Sequence, residues 1–164
     1  MTTDPSMEQV LATIRSFPDV LELAPTAGSA YPEIAWGDHF FYCAPDGDVP
    51  ANEQPYATIV TKDYPGDTAS HLAAPGRWRL NIHVGRTRYV ELLGEDPEAQ
   101  AEEEIDLAAT DTLLPHPSYG AQGWVAIVSP GPETLAPALL LLREAHEAAR
   151  QRRDRKSTRL NSSH

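Results

Sequence analysis

The sequence predicts an α+β fold: a mostly antiparallel sheet with an N-terminal helix and a long C-terminal helix packed on it. Three observations carry that expectation. Apolar residues recur at helical spacing mainly near the two ends of the chain, short β-branched and aromatic runs fill the middle, and the readable turns between those runs are of the hairpin kind. A doubly wound sheet would need strands alternating with helices and a glycine-rich turn, and neither is present.

Ser6 followed by Gln9 has the spacing of a capping box. Met7, Val10, Leu11, Ile14 and Phe17 then recur at helical intervals until Pro18, so a helix is expected over residues 6–17. Leu21 and Leu23 alternate as in a short strand, and the Pro, Gly and Ser of residues 25–32 make a loop. In PEIAWGDHFFYC, Gly37-Asp38 lies between Ile34 and Trp36 on one side and Phe40, Phe41 and Tyr42 on the other, which predicts a hairpin. Pro45-Asp46-Gly47-Asp48 turns the chain again, YATIVT (56–61) is the next strand, and TKDYPGDTAS is a polar loop.

The cleanest strand is 77–84, where Trp78, Leu80, Ile82 and Val84 alternate with Arg77, Arg79, Asn81 and His83, one face for the core and one polar. A short helix through Tyr89, Val90 and Leu93 ends at Gly94. From Glu91 to Asp111 there are nine acids and no base, so a solvated excursion is expected over about 94–111. After Leu113-Leu114 and the turn HPSYGAQG, WVAIVS (124–129) is the last strand. SPGPET then leads into a helix with Leu135, Ala138, Leu139, Leu142, Ala145 and Ala149 on one stripe, Pro137 being tolerated in its first turn.

The chain has 164 residues, enough for one domain, expected over 1–150. Residues 1–150 carry 8 Lys and Arg against 23 Asp and Glu, a net charge of −15, while 151–164 carry 5 against 1. The last stretch, QRRDRKSTRLNSSH, loses the hydrophobic period and reads as a solvated tail; its KSTRLNSSH resembles a read-through segment rather than native sequence. A strongly acidic domain repels phosphate backbones and anionic membrane surfaces. There is no run of about 20 apolar residues and no basic-then-apolar start, so the expected location is the cytoplasm. A single cysteine, Cys43, excludes an internal disulfide or a cysteine-built zinc site. Arg outnumbers Lys by 11 to 2 beside many Ala and Pro, the bias of a GC-rich bacterial genome.

The segments PEIAWGDHFFYCAPDG, PYATIVTKDYPGDTAS, RLNIHVGR and HPSYGAQGWVAIVSPGPET resemble an actinobacterial family known as a domain of unknown function, DUF6194. The resemblance covers residues 7 to about 150 and brings no catalytic roles with it. More distantly, the order of an "N-I" strand, a short helix, a Trp-led strand and a long terminal helix is similar to the MmcQ/YjbR-like proteins. That similarity implies an α+β fold likened to a DNA-binding one, but the acidic balance departs from the basic face such a role needs.

Candidate chemistry gathers in two loops. HPSYGAQGW brings His116, Tyr119 and Trp124 around two glycines, where His116 can act as acid, base or ligand, or simply cap a turn. TKDYPGDTAS brings Lys62, Asp63, Tyr64 and Asp67 to a strand end, as a pocket rim or an ordinary Asp- and Gly-stabilised loop. Arg79, in the row with Arg77, Asn81 and His83, can hold an anion or pair with one of the surplus acids. The turn SPGPET offers free helix amides to an anion, without the Lys-Ser/Thr of a phosphate loop. There is no GxSxG, no HExxH and no paired-Cys motif, so no cofactor or metal is called for. The expectation is a binding or regulatory domain for a small molecule or a protein. The alternatives are an enzyme using His116 with Tyr119 or Asp67, and a double-wing nucleic-acid binder opposed by the charge.

Overall fold

The computed structural model describes residues 4–94 and 105–161, with the side chains described as far as residue 155. Its core is a six-stranded antiparallel sheet: β1 (Val20–Leu23), β2 (His39–Cys43), β3 (Ala57–Val60), β4 (Arg79–His83), β5 (Leu114–Pro115) and β6 (Trp124–Val128), in the order β1-β2-β3-β4-β6-β5. Three helices accompany it: α1 (Pro5–Arg15), α2 (Arg86–Leu93) and α3 (Leu135–Asn161). The α+β class, the antiparallel sheet, and the N-terminal and long C-terminal helices are as the sequence predicts.

The period of two sorts each strand between two faces. Phe41, Ala57, Ile59, Leu80, Ile82, Val125 and Ile127 point to one side, where they bury against Val10, Leu11 and Ile14 of α1 and Ala138, Leu141, Leu142 and Ala145 of α3. Phe40, Tyr42, Thr58, Arg79, Asn81 and Trp124 take the other side. Asn81 lies across from Thr58 on β3 and Ala126 on β6, and its Nδ2 donates to the Thr58 hydroxyl at 2.9 Å. The polar face of β4 is therefore real, but Arg79 and Asn81 are buried there. The face opposite the helices is a second interior.

Local chemistry changes two of the expected features. The cap of α1 is Asp4, whose Oδ1 accepts from the Ser6 amide at 2.8 Å, with Pro5 at the first helical position where its missing N–H costs nothing. The other Asp4 oxygen accepts from the Trp78 indole at 3.0 Å, so the cap also ties α1 to the chain entering β4. The expected Gly37-Asp38 hairpin does not form: Glu33–Ala35 is a 3-10 turn, and β2 pairs with β1 and β3. Asp38 is buried completely instead. It accepts from the Thr61 amide (2.8 Å), the Thr61 hydroxyl (2.7 Å) and Lys62 Nζ (3.1 Å), and from the Tyr64 hydroxyl. A carboxylate with that many donors is more stable inside than at an exposed turn.

Most of the acidic excursion, residues 95–104, lies outside the described residues. Its last acid is no solvated charge. Asp111, at a left-handed φ of 50°, receives the amides of Gly131, Glu133 and Thr134 at 2.8, 3.0 and 2.9 Å and the Thr134 hydroxyl at 2.6 Å. The hydroxyl first, then the amides, hold its carboxyl down to about 2. The anion that the amides leading into α3 invite is thus supplied by the chain itself. At the other end α3 continues past Arg150 to Asn161, and Arg153 reaches back to Glu53 at 3.2 Å and Asp46 at 3.8 Å.

Candidate functional site

Against the face of the sheet opposite the helices lies a cavity of about 510 Å³, lined by Tyr64, Asp67, Arg79, His116, Tyr119 and Trp124 together with Phe40, Tyr42, Gln54, Pro55, Thr58, Val60, Pro65, Asn81 and Ser118. Six of the eight residues singled out from the sequence meet here, brought from the loop after β3, from β4, and from the turn between β5 and β6 with the start of β6. Lys62 and Asp63 do not line it. Lys62 donates to the Trp36 carbonyl at 2.7 Å and to Asp38, and Asp63 accepts from the Leu72 amide at 3.0 Å, so both serve loop structure.

The floor is a closed charge pair. Arg79 donates through Nη2 to Asp67 Oδ2 (2.6 Å) and through Nη1 to Asp67 Oδ1 (2.9 Å). A further bond runs from Nη1 to the Ser70 hydroxyl (2.9 Å), and Nε donates to Asn81 Oδ1 (2.8 Å). These hydrogen bonds hold the Asp67 carboxyl below its usual range. Arg79 therefore takes the second of its two sequence readings: its charge is spent on an internal acid and is not free for an anionic ligand.

His116 is placed by its own turn. The amides of Ser118 and Tyr119 both donate to Nδ1, each at 3.0 Å, in a turn opened by Pro117 and closed by Gly123 at a φ of 86°. Backbone amides can only donate, so Nδ1 presents its lone pair and the neutral ring carries its proton on Nε2. Burial, and then the nearby Arg79 charge, push the imidazole down to about 4. Its ring lies 5.0 Å from Tyr119 and 6.2 Å, edge to face, from Trp124. Tyr119 is exposed at the rim, whereas His116 is only 6% exposed.

Tyr64 contributes its ring while its hydroxyl donates to Asp38; burial first, then Asp38, raises its phenol well above the usual range. Asp38 bonds Tyr64, and Asn81 and Ser70 bond Arg79, so these three also tie the cavity lining together. Asp38 is masked in the sequence by the Gly-Asp turn signal and Ser70 by lying in a polar loop. Among the described residues, no group of three His, Cys, Asp or Glu side chains is placed to hold a metal ion.

The sequence profile of a family of unknown function, DUF6194, matches residues 3–158. The chain belongs to that family. No curated protein and no solved structure matches it. Within this DUF6194 protein the matched span contains the whole cavity and continues along α3 beyond Arg153, so it includes the part of the helix from which Arg153 reaches Glu53. No helix among its described residues is long and apolar enough to cross a membrane.

Proposed function

We propose that this DUF6194 protein binds a small planar molecule in the cavity between the sheet and the His116 turn. The convergence of three separate segments on one aromatic-walled cavity of about 510 Å³ carries the reading. That size lies in the usual range for small-molecule sites, ~300–1,000 Å³. Phe40, Tyr42, Tyr64, Tyr119 and Trp124 offer ring faces, Arg79 and Asp67 cancel each other, and neutral His116 offers an N–H. An uncharged aromatic surface with a hydrogen-bond acceptor at its edge meets all three conditions.

Acid–base catalysis by His116 with Tyr119 or Asp67 is less well supported. A general base needs a free lone pair near neutral pH, whereas the Nδ1 lone pair is occupied and Asp67 is locked to Arg79. Nucleic-acid binding in the manner likened to MmcQ/YjbR-like proteins is opposed by the net charge of −11. The cytoplasm is our proposed setting, on the single cysteine.

A thermal-shift series with neutral planar probes (naphthamide, quinolone, nicotinamide and xanthine) tests the reading, because a ligand for the native state raises the melting temperature. At least one probe should do so, and Tyr119→Ala, which removes an exposed ring, should weaken that rise without lowering the melting temperature of the free protein. No rise with any probe, or an equal rise in Tyr119→Ala, counts against the site.

A further inference from the structure

A second cavity, of about 450 Å³, adjoins the first: Tyr42, Gln54, Pro55 and Trp124 line both. The two spaces are thus neighbouring lobes about one aromatic wall, and they differ in charge. In the first lobe Arg79 is cancelled by Asp67. At the second stands Arg152 from α3, which has no hydrogen bond or ion pair among the described residues. Glu53 lines that lobe too and attracts Arg152, but its carboxylate is engaged by Arg153 at 3.2 Å. His83, also there, donates from Nε2 to the Gln122 carbonyl at 3.1 Å, and burial lowers its pKa, so it adds no cation at neutral pH.

A guanidinium with no bonded carboxylate among the described residues is notable in a chain with 24 acids and 13 Lys and Arg. Arg15, Arg79, Arg88, Arg150 and Arg153 each hold a carboxylate. Among the described residues Arg77, Arg143, Arg152 and Arg155 show no carboxylate partner, and of these Arg152 lines this cavity. A guanidinium fork fits the oxygens of a carboxylate or phosphate. Resting on the reading that the first lobe binds a planar molecule, we infer that the ligand is elongated and acidic at one end. Its uncharged planar part sits by His116, and its oxyanion, carboxylate or phosphate, meets Arg152 past the Trp124 wall.

The test is calorimetric titration of the full chain with matched pairs: indole-3-acetate, indole-3-butyrate and 2-naphthylacetate, each with its primary amide, and 2-naphthylmethyl phosphate with 2-naphthylmethanol. For at least one pair the acid should bind at least tenfold more tightly than its neutral partner. Arg152→Gln should abolish that preference while leaving the neutral partner's affinity unchanged, and the carboxylate and phosphate arms show which oxyanion is preferred. Arg152 is exposed on a helix, so the variant should melt with the parent protein. Equal binding of acid and neutral partner overturns this inference but leaves the first lobe a binding site. A preference that survives Arg152→Gln does the same. Binding by no member of the panel overturns both.

Discussion

Arg79 and Asp67 form a two-pronged ion pair inside the protein, Nη2 to Oδ2 at 2.6 Å and Nη1 to Oδ1 at 2.9 Å, with side chains 3% and 14% exposed. The pair joins the loop after β3 to β4 and leaves the cavity floor without net charge. Desolvating two ions is costly, so the pair contributes little beyond a well-packed apolar substitute, but breaking it strands a buried cation.

Asp67→Ala should accordingly cost about 3–5 kcal/mol in urea unfolding, whereas the double change Asp67→Leu with Arg79→Met should recover most of that loss. A double variant no more stable than Asp67→Ala would show that the loop depends on the ions themselves.

His116 holds its turn as well as lining the cavity. His116→Ala removes the acceptor for two amides and should cost about 1–3 kcal/mol. His116→Asn keeps an acceptor at a similar place, as in an Asx turn, and should cost clearly less while removing the Nε2 donor. Equal losses in the two variants would mean that the ring's packing, not its Nδ1, stabilises the turn.

Gly123 has a φ of 86°, and a Cβ there would lie 2.6 Å from the Gly85 carbonyl carbon, where Val84 and Gly85 both donate to the Gly123 carbonyl. Gly123→Ala combines left-handed strain with a backbone clash and should cost at least about 2 kcal/mol. Gly94→Ala, at a φ of 74° with nothing near its Cβ, should lose only about 1 kcal/mol. Similar losses at both positions would remove the close approach as the cause.

Acid stability has two windows. Burial depresses three histidines: His116, down to about 4, and also His83 and His146. Above pH ~6.5 these three histidines are neutral in the folded and the unfolded chain, and no pH dependence arises from them. As pH falls below ~6.5 the unfolded chain takes up protons that the folded one refuses, so stability should drop, and for His116 the drop should level off near pH ~4. Asp111, held at about 2, keeps its contribution above the unfolded carboxylate value and loses it as pH falls from ~4 towards ~2. Unfolding free energies should show a shallower slope between pH 6.5 and 4 in His116→Asn; an unchanged slope would place the proton uptake elsewhere.

Truncation after Arg150 removes the ion pairs of Arg153 with Glu53 and Asp46. Such partly exposed pairs are worth about 0–1 kcal/mol each, so the shortened protein should melt within a few degrees of the full chain. A larger fall would show that α3 beyond Arg150 packs as part of the core.

The strands of the sheet centre were legible because the period of two survives burial: Leu80, Ile82, Val125 and Ile127 fall where alternation puts them. The Gly37-Asp38 hairpin was misread because turn residues are also the residues that bury well when donors surround them, and the donors of Asp38 lie more than 20 residues away at Thr61 to Tyr64. His116 and Asp67 were visible as candidates by residue type alone. What each does depends on partners that no local pattern specifies: two amides for one, a guanidinium on β4 for the other. The continuation of α3 past Arg150 was hidden by its polar composition, since a hydrophobic period marks only the part of a helix that meets the core.

Binding in the cavity turns on the state of the His116 ring. Long-range proton–nitrogen correlation of the protein with nitrogen-labelled histidine, free and saturated with whichever neutral probe binds, reads that state at one residue. The ring should be neutral with its proton on Nε2 at pH 7 and still at pH 5, and the Nε2 resonance should shift clearly when the probe is bound. A ring already protonated at pH 6, or an Nε2 resonance unmoved at saturation, would contradict this.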